Sequence, residues 1–208
     1  MLSKVMKLFL LLQLIIFSSC SEQGLQFSPL SDNATILAFG DSLTYGKGAS
    51  RAQSYPSVLQ SLSRLRVINA GISGEVSEDG LRRLPALLTK HLPELIIICH
   101  GGNDILRRHN TQQTKTNIIK MIQLAKSYNV QIMLLAVPRP SLLLTPAEFY
   151  AEIAETTQII FDPKTMPGVL ADRRLKSDSI HPNSAGYAVI AEHIFKKLKE
   201  LGALKSDT

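Results

Sequence analysis

Short apolar runs without polar alternation recur along the chain, and most are followed by a stretch whose apolar residues keep helical spacing. Ile36, Leu37, Ala38 and Phe39 form the first run, and Gly40 ends it. A run with no polar face predicts a strand covered on both sides, as in a parallel sheet. Val58, Leu59, Leu62 and Leu65 then predict a helix, and residues 66–69 a second strand. A helix follows from about Glu78, with Leu81, Leu84, Leu87 and Leu88 as its stripe and Pro85 close enough to its first turns to be tolerated. Residues 95–100 give a third strand, residues 114–128 a helix on Ile118, Ile119, Ile122 and Ala125, and residues 130–137 a fourth strand. Beyond Pro138-Arg139-Pro140 the pattern weakens, to a helix over 146–156 and a short fifth strand at 159–161. Asn183 caps a last helix through Tyr187, Ile190, Ile194 and Leu198, which Gly202 stops. Strands alternating with helices predict a three-layer α/β sandwich on a five-stranded parallel sheet with right-handed crossovers.

The N-terminus falls outside this pattern. Lys4 and Lys7 precede an apolar run over residues 8–17 that only Gln13 interrupts. Such a run is too short for a bilayer, which needs about 20 residues, and it reads as a signal peptide over residues 1–19. Ser18 and Ser19 lead into Cys20, and the arrangement resembles the lipobox of bacterial lipoproteins, in which the cysteine is lipidated. The alternative is a conventional signal peptide cut nearby, with Cys20 a free thiol. Both place the protein in the periplasm or cell envelope, and the first adds membrane association through a lipid anchor. Residues 20–33 are polar and read as a tether, residues 34–202 as the folded domain and 203–208 as a tail.

Composition narrows the partners. The 208 residues are 45% apolar, enough for one core, and the net charge of +6 includes Lys4 and Lys7. No long basic run or aromatic-basic interleaving points to nucleic acid. Cys99, inside its apolar run, reads as a small buried hydrophobe, and no Cys/His spacing suggests a metal site.

The candidate chemistry gathers at the strand ends. The first three strands run into Gly40-Asp41-Ser42, Asn69-Ala70-Gly71-Ile72-Ser73-Gly74 and His100-Gly101-Gly102-Asn103-Asp104, which a parallel sheet brings to one edge. Ser42 is a candidate nucleophile there, but a serine needs a base and an orienting acid. Asp178-Ser179-Ile180-His181-Pro182 supplies both: at this spacing the carboxylate can reach Nδ1 of its own histidine, and Pro182 biases His181 toward extended backbone. Asp41 and Asp104 read as loop-holding residues, and His91, His109 and His193 as surface residues. His100 is a candidate for lining the crevice. Arg107-Arg108-His109 is read as a solvated loop, with an anionic head group or coenzyme phosphate as the alternative.

The four blocks Gly40-Asp41-Ser42-Leu43, Asn69 to Gly74, Gly101-Gly102-Asn103-Asp104 and Asp178 to His181 resemble the signature blocks of the GDSL/SGNH hydrolases. With Leu81-Arg82-Arg83-Leu84-Pro85-Ala86-Leu87-Leu88, they are most similar to the bacterial arylesterase branch, which includes a periplasmic acyl-CoA thioesterase/lysophospholipase. The resemblance implies a flavodoxin-like fold and a cofactor-free serine esterase, expected as a monomer, acting on a small ester or thioester. Ser42 would be the nucleophile, His181 the base and Asp178 its partner. The oxyanion hole would be the N–H groups of Ser42 and Gly74 and the side-chain amide of Asn103, leaving Gly71 a turn residue. Two alternatives remain open at this point, a carbohydrate O-acetyl esterase and a non-catalytic surface-tethered binding protein.

Overall fold

The computed structural model describes residues 24–139 and 145–205. The signal segment, Cys20 and Pro140 lie outside the described residues. Five strands form one parallel sheet: β1 (Thr35–Gly40), β2 (Arg66–Gly71), β3 (Leu95–Cys99), β4 (Gln131–Leu135) and β5 (Ile160–Asp162), in the order β2-β1-β3-β4-β5. Every residue of β1 and β3 is buried, as their unbroken apolar runs require. Helices α2 (Tyr55–Ser63) and α8 (Ser184–Glu200) pack together on one face, joined by α7 (Thr165–Ala171). Helices α3 (Ser77–His91), α5 (Thr111–Ser127) and α6 (Phe149–Thr157) cover the other. The order reverses at β1, which pairs with β2 on one side and β3 on the other. In open parallel sheets that reversal opens a crevice at the carboxyl edge.

Several boundaries differ from the sequence expectation. Strand β2 continues through Gly71, because Ala70 and Gly71 pair with Phe39 and Gly40. Strand β4 stops at Leu135, α6 begins only at Phe149, and β5 is shifted one residue onward. Pro85 lies in the middle of α3 and not near its first turns. It faces solvent, so water can take the carbonyl that a proline leaves without its helical donor. Helix α7 has no counterpart in the apolar pattern. The carboxylate of Asp162 starts it by accepting the N–H groups of Lys164 and Thr165 and the hydroxyl of Thr165. Gly71 is no turn residue either: a Cβ there would stand 2.1 Å from the backbone nitrogen of Tyr45.

The segment expected to be a tether packs against the domain from Phe27 onward. Phe27 and Leu30 are buried in the core, and their N–H groups donate to the carbonyls of Leu201 and Ala203. Ser28 exchanges hydrogen bonds with the side chain of Gln131, and Ser31 bonds Glu94 through its N–H and its hydroxyl. Gln131 opens β4 and Glu94 immediately precedes β3, so this strap crosses the amino edge of the sheet.

Candidate active site

Ser42 opens the four-residue helix α1 (Ser42–Tyr45) directly after β1. Asp41 caps it, accepting the N–H of Leu43 at 3.0 Å, and Gly46 ends it at a φ of 99°, a left-handed conformation that glycine adopts without strain. Gly40 lets this turn close tightly, since a Cβ there would meet the carbonyl oxygen of Cys99 at 2.1 Å. Asp41 is 1% exposed, and burial pushes its carboxyl above the ordinary value. Cys99 is buried and unbridged.

The turn before α8 presents the histidine. Asp178 accepts the N–H groups of Ile180 and His181 on one oxygen, each at 2.8 Å, and lies 2.8 Å from His181 Nδ1 through the other. A carboxylate only accepts, so Nδ1 carries a proton, and in the neutral ring Nε2 then holds the lone pair. That Nε2 lies 3.0 Å from Ser42 Oγ. The His181 ring is nearly enclosed, whereas the Asp178 side chain is 47% exposed. Desolvation works to raise the Asp178 carboxyl, but the hydrogen bonds from Ile180 and His181 outweigh it and hold the group below its ordinary value.

Asn103 stands in the short helix α4 (Gly102–Leu106) after β3. Its amide nitrogen donates to the carbonyl of Glu75 at 2.9 Å and to Asp41 at 3.3 Å. It therefore bridges the Gly74-Glu75 backbone and the Asp41-Ser42 turn. Gly74 has a φ of +81°, and the Arg107 guanidinium donates to its carbonyl at 2.9 Å, so Arg107 is tied down and not merely solvated. Gly74 is not among the residues lining the cleft described below.

His100 does not line the crevice. It is fully buried, with Nε2 3.1 Å from Glu75 and Nδ1 accepting the N–H of Gly101. Asp104 accepts the N–H and hydroxyl of Ser77 and so holds the start of α3. His109 and His193 are exposed and His91 is half-buried.

Glu75 was not singled out in the sequence, and Arg83 only as part of the block that begins at Leu81, with no role attached. Arg83 forms a bidentate pair with Glu75 through Nε at 2.6 Å and Nη2 at 2.5 Å, and Nη2 also donates to the carbonyls of Ala70 and Gly40. The available signal was an arginine one position before Leu84 of the apolar stripe, on a helix face that turns inward.

A cleft of about 730 Å³ opens over Ser42, Asn103 and His181. Leu43, Leu106, Val137, Pro138, Leu170 and Ile180 give it an apolar wall, and Arg173 and Lys176 also line it. Neither cation has a carboxylate partner among the described residues, whereas the adjacent Arg174 is paired with Asp172. Among the described residues no group of three or more His, Cys, Asp or Glu is placed to hold a metal.

Comparison with known proteins agrees with this layout. The chain is 33% identical over 175 residues to thioesterase 1/protease 1/lysophospholipase L1 of Escherichia coli K12, covering 80% of this chain and 84% of that one. It is 33% identical over 176 residues to an arylesterase of Vibrio mimicus, covering 78% and 87%. The crystal structure of the psychrotrophic esterase EstA from Pseudoalteromonas sp., inhibited by monoethylphosphonate, superposes with a TM-score of 0.74 at 27% identity, covering 81% of this chain and 98% of that one. The model of the GDSL-like lipase/acylhydrolase family matches residues 38–189, and the chain belongs to that family.

Proposed function

We propose that this protein hydrolyses carboxylic esters or thioesters through an acyl-enzyme on Ser42. The observation that carries the proposal is the continuous contact from Asp178 through His181 to Ser42, at 2.8 and 3.0 Å. His181 Nε2 takes the hydroxyl proton as Ser42 Oγ attacks the acyl carbonyl, and Asp178 keeps the ring in that tautomer and stabilises the imidazolium. The N–H groups of Ser42 and Gly74 and the Asn103 amide receive the oxyanion; the amide exchanges its 3.3 Å contact with Asp41 for the new charge. His181 then returns the proton to the leaving group. Water, activated by the same nitrogen, releases the acid. One chain holds the whole set, so a monomer suffices.

The apolar wall suits an acyl chain longer than acetyl, and Arg173 with Lys176 suits a substrate carrying negative charge outside the scissile bond. Both features favour a lipid-like ester or thioester over a carbohydrate acetyl ester. Fluorophosphonate labelling of the purified protein and of Ser42→Ala, with hydrolysis of p-nitrophenyl esters of graded chain length, tests the proposal. Labelling and turnover that both need Ser42 are expected. A folded protein that neither labels nor turns over would overturn it.

Export followed by lipidation of Cys20 completes the proposal, supported by the charged and apolar segments that precede that cysteine. Cys20→Ala should move the protein from the membrane to the soluble fraction, and unchanged fractionation would rule the anchor out.

A further inference from the structure

We infer that Glu75, clamped by Arg83 and His100, is a positioning residue for the oxyanion-stabilising groups, holding Asn103 through its own carbonyl and fixing the Gly74 peptide beside it. The inference rests on the assignment of Asn103 and Gly74 in the proposed function and adds the device that aims them.

Three polar side chains meet beneath the carboxyl edge of the sheet. Glu75 is 6% exposed and His100 wholly buried. The Gly101 N–H donates to Nδ1 of His100, so the ring proton sits on Nε2 and is donated to Glu75. On the other side Arg83 grips both carboxylate oxygens and also reaches the carbonyls of Gly40 and Ala70, at the ends of β1 and β2. Its guanidinium lies 4.4 Å from the Phe39 ring centre, and its side chain is only 22% exposed. The clamp therefore ties together the ends of β1 and β2, the residue that follows β3, and the loop carrying Gly74.

A buried ion pair is weak evidence for a role in stability, because well-packed apolar residues often do as well or better. What distinguishes this one is its location. The main chain of Glu75 leads directly to the catalytic groups: its carbonyl accepts the Asn103 amide at 2.9 Å, and its nitrogen adjoins the Gly74 carbonyl that Arg107 holds. With the side chain fixed at both oxygens, the backbone on either side loses the freedom to swing. Donors that are already aimed cost no reorganisation when the oxyanion forms. The fold also makes room for the clamp. A Cβ on Gly80, inside α3, would stand 2.4 Å from Nε2 of His100. Burial pushes the Glu75 carboxyl upward, but the hydrogen bonds from His100 and Arg83 outweigh it, and the group stays below its ordinary value and charged.

The test is a double-mutant cycle on the full protein, reading kcat and KM separately for a p-nitrophenyl ester, with melting temperatures recorded alongside. Glu75→Gln should lower kcat by about 10-fold or more, up to the 10²–10³ that one oxyanion donor supplies, and leave KM within about twofold. In an Asn103→Ala background the same change should cost kcat far less, since the group it aims is gone. Full additivity with Asn103→Ala, or a loss confined to KM or to the melting temperature, would overturn the inference. If Glu75→Gln does not fold, His100→Gln is read in the same two backgrounds against the same criteria. An Asn103→Ala variant that keeps the wild-type kcat would instead sink the underlying assignment, so the two failures are separable.

Discussion

His181 Nε2 lies 3.0 Å from Ser42 Oγ although 139 positions separate the two residues in the chain. One is carried by the turn after β1 and the other by the turn before α8, so the contact depends on the whole sheet being assembled. Asp178 reaches the same ring from three residues away and needs only its own turn. Asp178→Asn should lower kcat/KM by about 10³–10⁴-fold, and His181→Ala by more, with the double variant little worse than His181→Ala alone. Steady-state kinetics on a short p-nitrophenyl ester, with circular dichroism to confirm folding, would check this. Multiplicative losses would mean that the residues do not act as a unit.

Gly71 should resist substitution. A Cβ there would stand 2.1 Å from the Tyr45 nitrogen and 2.6 Å from the Thr44 carbonyl carbon, both backbone atoms that cannot swing aside. Gly71→Ala should cost about 1–3 kcal/mol of stability and displace the α1 turn that carries Ser42, lowering kcat as well. Gly168→Ala is the control. Nothing lies within 4 Å of a Cβ at that helical position, and a helix-favouring alanine should leave stability unchanged or raise it by up to about 1 kcal/mol. Urea melts of the two variants would decide.

The parallel sheet and the Asp178–His181 contact were legible in the sequence because they rest on local signals, unbroken apolar runs and an Asp-to-His spacing that closes within one turn, whereas the long-range approach of His181 to Ser42 was expected only from the resemblance of the four motif blocks. What escaped rests on distant partners. Helix α7 is started by Asp162 and buried against α8, so tertiary contacts outweigh the Pro167 and Gly168 that obscure its periodicity. Phe27 and Leu30 were invisible as core because, scattered with Leu25 through a polar stretch, they carry no sustained period. Glu75, Arg83 and His100 come from a loop, a helix and a strand end, so no single helical or strand period links them.

Acid should destabilise the protein partly through Asp162. Burial acts to raise its carboxyl, but hydrogen bonds from Thr165 and Lys164 and the charge of Lys197 prevail and hold it below 3.8. A carboxyl depressed in the folded state stabilises above its unfolded value and loses that contribution as pH falls through the folded one. The melting temperature should therefore drop below about pH 4. Asp162→Asn should melt lower at pH 7 and show a smaller fall between pH 5 and pH 3. Calorimetry across that range is the check, and parallel curves for the two proteins would contradict the assignment.

Arg173 and Lys176 should set a preference for charge. Wild-type protein is expected to favour an ester bearing a phosphate or sulfonate on its leaving group over a neutral ester of equal acyl length. In Arg173→Gln/Lys176→Gln the ratio of the two kcat/KM values should fall severalfold. Added salt should lower the same ratio in the wild type, since exposed charges are screened within about 10 Å at 0.1 M ionic strength. A ratio indifferent to both changes would leave these cations without a role in selection.

The strap that begins at Phe27 gives the molecule a direction. It crosses the amino ends of β3 and β4, while Ser42, Asn103 and His181 stand at the opposite ends of the strands. The chain upstream of Phe27 thus departs from the base of the sheet, one strand length from the cleft. The strap and the mouth of the cleft therefore lie at opposite ends of the strands, so a ligand can fill the cleft without touching the strap.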